Sequence, residues 1–158
     1  MENNKQVMAQ KMFETLCAFM DASALVYEKD EKELEVTVGF SGDDLPLKFT
    51  LSIDAERELF KIGSLLPFTF REDKRVEGAL VTSFANYILA NGCFDYSYEK
   101  GAVYFRLTTS YRDSLVSGRA LGLLLAIAGD IVEKYNDKFL LVSLGAMSVD
   151  DFFTWAEG

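Results

Sequence analysis

Asn86-Tyr87-Ile88-Leu89-Ala90-Asn91-Gly92-Cys93-Phe94-Asp95-Tyr96-Ser97-Tyr98-Glu99-Lys100-Gly101-Ala102-Val103-Tyr104-Phe105 holds the boundary signals that decide the fold. It reads as the last turn of a helix, a glycine stop at Gly92, a strand, a tight turn and a second strand. Gly92 after Asn91 suits a left-handed helix end, and Gly101 supplies the positive φ of a hairpin turn. Phe94, Tyr96 and Tyr98 alternate with Asp95 and Ser97, and Val103, Phe105 and Leu107 alternate with Tyr104, Arg106 and Thr108. Period-two alternation of this kind describes two antiparallel strands with one apolar and one wet face.

Upstream, the same period recurs. Leu34, Val36, Val38 and Phe40 share one face of a strand from Glu33 to Phe40, and Leu47, Phe49, Leu51 and Ile53 share one face of the next. The turn Ser41-Gly42-Asp43-Asp44 joins them. Glu58 to Ile62 predicts a shorter third strand, and Glu28 to Glu33 a solvated turn. Leu65-Leu66-Pro67-Phe68 reads as an apolar connector because proline interrupts regular structure. Thr69 and Glu72 have capping-box spacing for a helix to Asn91, on which Val76, Leu80, Phe84, Tyr87 and Ile88 are the expected buried side chains.

A first helix is predicted from about Lys5 to Ala22, with Met8, Met12, Leu16, Phe19 and Met20 in a stripe. That stripe suits a core face, or an adaptable surface, since methionine repacks easily. Another helix opens at Ser114 or Ser117 and runs to about Tyr135, with a short helical segment from Asn136-Asp137 and a last turn capped near Ser148. The expected order is α-β-β-β-α-β-β-α. The expected fold is α+β, a two-layer sandwich in one domain over residues 1–158, with helices on one face of a five-stranded antiparallel sheet.

Composition limits the functions. The chain has 158 residues, a formal net charge of −9 and no histidine. Acidity disfavours nucleic acid and anionic membrane surfaces, because phosphate binding needs clustered basic residues. Lacking histidine, the chain has neither the usual general base nor the commonest zinc ligand. Asp43 and Asp44 lie roughly 30 Å from Asp54 and Glu56 by strand rise, so these acids read as turn residues rather than a metal or acid/base cluster. Neither a catalytic set, nor a cofactor motif, nor a metal site is expected. Cys17 and Cys93 are far apart and read as free thiols, and the polar opening and the lack of a long apolar run predict a cytoplasmic protein.

Three features are candidates for binding. Gly118, Gly122, Ala126 and Gly129 form a small-residue stripe, suited either to close docking on the sheet or to a helix–helix contact in a homodimer. Asn86 is a polar residue within a helix that either bonds neighbouring backbone or meets a partner. Near the chain end, Phe152 and Trp155 share a face and are expected to dock, leaving Phe153 more exposed for a partner. An alternative reading is a small-ligand sensor with a pocket between helix layer and sheet, lined by Tyr87, Tyr96 and Tyr98.

Leu66-Pro67, Phe84 and Asn86 in the helix, then Gly92, Phe94, Gly101, Val103 and Arg106, also follow a known pattern. On these residues the chain resembles the YbjN-like family, whose fold is similar to that of the type III secretion chaperones. The likeness extends more loosely from about Met12 to Phe152, and Arg71 departs from it where the family often has proline. The family is provisionally described as bacterial sensory-transduction regulators, without an established reaction. The chaperones are small, acidic, cytoplasmic homodimers that hold extended client segments. The resemblance therefore implies a non-enzymatic protein-interaction module, chaperone-like or regulatory, acting as a homodimer on a protein partner.

Overall fold

The computed structural model describes residues 2–158, with side chains from residue 4 onward. The polar opening on which the expectation of no leader rests lies partly outside those residues.

Helix α1 (Glu2–Ala22) is followed by strands β1 (Tyr27–Asp30), β2 (Glu35–Phe40), β3 (Leu47–Asp54) and β4 (Leu59–Thr69). Helix α2 (Arg75–Ile88) leads to β5 (Cys93–Ser97) and β6 (Ala102–Ser110). The chain closes with α3 (Gly118–Ser143) and α4 (Val149–Glu157). All neighbouring strands are antiparallel, in the order β1-β2-β3-β4-β6-β5. The α+β sandwich is as expected, but the sheet has six strands rather than five.

The added strand is β1, taken from the sequence as an entry and a turn. It lies at the sheet edge and pairs only with β2, matching Tyr27 to Val38 and Asp30 to Glu35. Glu28, Lys29 and Asp30 are all exposed, so β1 is held by backbone pairing and leaves no alternating apolar signal. The third predicted strand is also longer than expected, running on through Pro67. β3 pairs with β4 only as far as Gly63, and the β4–β6 register is irregular between Leu65 and Thr69. Pro67 falls where no ladder bond needs its missing N–H.

The core lies between sheet and helices. Val36, Phe49, Ile62, Phe94 and Phe105 are fully or almost fully buried on the sheet side, and Met12, Leu16, Val81 and Phe139 on the helix side. On the opposite face Tyr104 covers Gly63, where any side chain would collide with its ring, and Asp95 forms a two-pronged ion pair with Arg106 at 2.8 and 3.1 Å.

Helix boundaries differ from expectation in three places. Thr69 ends β4 and caps nothing; a short 3₁₀ turn, Glu72–Lys74, precedes α2. α2 stops at Ile88, with Leu89 already extended, so Gly92 is the positive-φ residue of the entry to β5 rather than the helix cap. α3 opens at Ser117, whose hydroxyl accepts from Ala120 N–H at 3.2 Å, and continues unbroken through Asn136. The segment expected as a separate helix is thus the end of α3. Among the described residues no helix is long and apolar enough to cross a membrane.

Candidate protein-interaction surfaces

α2 inverts the expected placement of its side chains. Gly78, Val81, Thr82 and Ala85 face inward, and all four are buried. Two sheet-side aromatics fill the space above them: a side chain at Gly78 would collide with the Tyr96 hydroxyl and meet Phe70 Cγ at 2.8 Å. Close docking is possible because that face is small. Of the five residues expected to be buried, Phe84 is half-buried, whereas Val76 (57% exposed), Leu80 (48%), Tyr87 (87%) and Ile88 face outward. Val76, Leu80 and Tyr87 recur at helical spacing, and no charged residue occurs between Glu77 and Asp95. An exposed apolar helical stripe without charge is the surface signature of a contact with another chain.

Asn86 locks this helix to the sheet. Its amide nitrogen donates to Phe94 O at 2.9 Å, and its oxygen accepts from Phe94 N–H at 2.7 Å. The side chain thus satisfies both backbone groups of one β5 residue and is committed within the fold.

The small-residue stripe on α3 meets α1 rather than the sheet. A methyl group at Gly122 would lie 2.5 Å from Phe19 Cε2, and one at Gly118 would lie 3.4 Å from Phe19 Cβ. Beyond Phe19 the stripe opens. Ala126 is exposed, and nothing lies within 4 Å of where a methyl at Gly129 would stand. These residues form one wall of a groove of about 440 Å³ between α1, α3 and the β2–β3 loop, with Phe19, Leu25, Phe40 and Leu47 as its apolar floor. A second groove, of about 470 Å³, runs between α3 and the end of α2, lined by Ile88, Leu89, Ile127 and Ile131.

At the chain end Phe152 is fully buried, stacked on Phe139 at 5.5 Å between ring centroids. Phe153 stacks on Phe84 of α2 at 4.2 Å, and Trp155 packs edge-on to Tyr135 at 5.4 Å. Both are half-buried, so Phe153 is held by the fold like Trp155 instead of standing free. Ser148 caps α4 by accepting from Asp151 N–H at 3.0 Å.

The tyrosines proposed for a sensor pocket diverge. Tyr87 points outward from α2 and Tyr98 is exposed after β5, whereas Tyr96 packs edge-on to Phe70 and donates to Arg75 O at 2.9 Å. Asp95, the carboxylate best placed in the sequence for acid chemistry, is held below the usual carboxylate range by Arg106. Burial pushes the Cys17 and Cys93 thiols up, which lowers their thiolate character. Among the described residues no group of three or more cysteines and carboxylates is placed to hold a metal ion.

No family model matches the chain, and no curated protein sequence matches it. Solved structures do. The ExsC–ExsE complex contains a chain 16% identical, with a TM-score of 0.58 over 82% of this chain and 93% of that one. The HopA1–SchA chaperone–effector complex contains another at 16% identity and a TM-score of 0.54, covering 82% of this chain and 97% of that one. YbjN from E. coli, provisionally assigned as a transcription regulator, is 8% identical with a TM-score of 0.59, covering 78% and 87%. The sheet with its helical cover is therefore the fold shared by YbjN and the type III secretion chaperones, as the resemblance in sequence implied.

Proposed function

We propose that this chain is a non-enzymatic protein-interaction module, chaperone-like or regulatory, that works in the cytoplasm as a homodimer. The observation that carries the proposal is the outward face of α2, where Val76, Leu80 and Tyr87 form an exposed stripe in a charge-free segment. Covering such side chains contributes about 2 kcal/mol each, enough across a two-fold contact to offset the entropy of association. A two-fold axis sets the same stripe against itself, so one face serves both subunits. The grooves beside α3 remain open for a protein partner. Chaperone–effector and other two-protein complexes among the structural neighbours support this reading by analogy of fold. A small-ligand sensor fits less well, because Tyr87, Tyr96 and Tyr98 share no pocket.

Light scattering after size exclusion tests the dimer. A mass near 17.7 kDa for the native chain at micromolar concentration would overturn it. A native dimer that Leu80→Glu converts to a folded monomer would place the contact on α2.

A further inference from the structure

The groove between α1, α3 and the β2–β3 loop joins two chemistries. Its floor is apolar, and Leu47 and Leu125 close its base. Its rim is acidic, formed by Asp43, Asp130 and Glu133. A shallower depression of about 400 Å³ shares that rim and adds Asp44 and Asp137. Two lysines line it, but both are engaged. Lys138 is ion-paired with Asp137 and sits 5.6 Å above the Trp155 ring, and Lys134 lies 5.5 Å from Tyr135 and 5.7 Å from Trp155. Among the described residues Asp43, Asp44, Asp130 and Glu133 have no cationic partner.

Glu133 gives the rim its direction. Its Oε1 accepts from the Asp43 N–H at 2.6 Å, whereas Oε2 is buried with no hydrogen-bond donor. A desolvated carboxylate oxygen without a donor is costly, and an ammonium or guanidinium satisfies it best. The wall permits close approach, since Gly122, Ala126 and Gly129 project little beyond the α3 backbone.

The geometry points to a docking site for an extended segment of a protein partner that places a leucine- or phenylalanine-sized side chain on the apolar floor and a neighbouring lysine or arginine against Glu133 and Asp130. This inference rests on the reading of the chain as a protein-interaction module and adds to it the chemistry of the partner: basic and apolar in alternation. It uses a different surface from the α2 stripe. The cavity volume suits one large side chain with its local backbone, and the acidic rim supplies specificity and salt dependence.

The test is fluorescence anisotropy with the full chain and a labelled peptide carrying a leucine between pairs of arginines. The expected result is saturable binding that weakens with salt. It should fall by about tenfold or more with Ala126→Trp, which fills the groove from an exposed position, and several-fold with Glu133→Gln, which keeps the acceptor for Asp43 and removes the charge. Unchanged melting temperatures would show that both variants are folded, and Asp130→Asn provides a second loss of charge should Glu133→Gln unfold. Leu80→Glu should leave peptide binding in place whatever it does to the dimer, so failure of the α2 contact is read separately. No binding of the native chain, or equal binding of a peptide with glycine for the leucine, would overturn the proposal. So would indifference to Ala126→Trp, or equal affinity for dodecylamine, which would assign the groove to small cationic amphiphiles.

Discussion

α1 and α2 lie over the same sheet and solve the problem of covering it in opposite ways. α1 turns large side chains inward: Met12, Leu16 and Met20 are fully buried. α2 turns small ones inward and lets Phe70 and Tyr96 rise from below to meet them. The difference shows that apolar periodicity identifies a helix without saying which face is the core. On α2 the larger residues form the more conspicuous stripe, yet it is the one left outside. A helix that spends its large apolar residues on solvent has a different task from one that buries them.

The largest expected effect that would break this contrast lies in matched truncations. Met12→Ala and Leu16→Ala on α1 should each cost about 3 kcal/mol in urea denaturation, as deletions in a packed core do. Leu80→Ala on α2 should cost less than about 1 kcal/mol under conditions that hold the chain monomeric. Equal losses would make α2 an ordinary core helix.

Next comes the joint that sets α2 close to β5. Gly92 has φ +74°, and a methyl group there would stand 2.5 Å from Phe105 Cζ. Gly92→Ala should therefore destabilise by about 2 kcal/mol, more than glycine-to-alanine exchange accounts for in an ordinary loop. A neutral result in thermal melts would remove the close approach from the account. Asn86→Ala should cost about 1.5 kcal/mol, because it leaves the N–H and C=O of Phe94 without their side-chain partner. Asn86→Asp should recover only the acceptor half of that bond pair, so rescue equal to the native chain would argue against the donor contact.

The smallest effect sharpens the α1 side. α1 is tied to the β3–β4 turn through Lys5, whose ammonium donates to Glu56 O at 2.8 Å. That turn is held by Asp54, which accepts from Arg57 N–H at 3.0 Å and from Lys61 at 3.0 Å. The Arg57 backbone N–H first, then the Lys61 and Arg57 side chains, hold the Asp54 carboxyl down at about 2. The unfolded value is about 3.9, so the folded state favours the ionised form. Asp54 therefore contributes fully above about pH 4, and its contribution is lost as pH falls toward 2. Stability measured across that window should fall less steeply in Asp54→Asn, and an unchanged slope would deny Asp54 this role.

Legibility from sequence followed the same division. The three hairpins β1–β2, β3–β4 and β5–β6 use related loops: Asp30 to Leu34, Asp54 to Glu58 and Ser97 to Gly101. Each opens with a side-chain oxygen that accepts from loop N–H groups and ends on a positive-φ residue. Glycine marks the third loop and makes it readable. Leu34 and Glu58 hold the same conformation without glycine, so the first loop was absorbed into a charged turn and β1 was missed. Leu34 tolerates that backbone because its side chain is buried, and Glu58 because Arg112 pairs with it at 3.1 Å. The inward strand residues and the α1 stripe were readable because burial alone selects them. The groove was not, since Gly122 and Ala126 reveal a cavity only once Phe19 and the β2–β3 loop are placed beside them.

The charged edge of the sheet has a consequence for how this protein avoids the wrong company. β1 has one neighbour, so its outer row of backbone groups is open to any extended chain that drifts alongside. Glu28, Lys29 and Asp30 stand along it, and a second copy attempting to add there would have to bring like charges together and strip water from them. Fibrous growth through the sheet is thereby discouraged, while the helical layer carries the uncharged stripe that can close on itself. Replacing Glu28 and Asp30 with threonine and valine should leave folding intact yet shift the chain from discrete dimers toward open-ended aggregates.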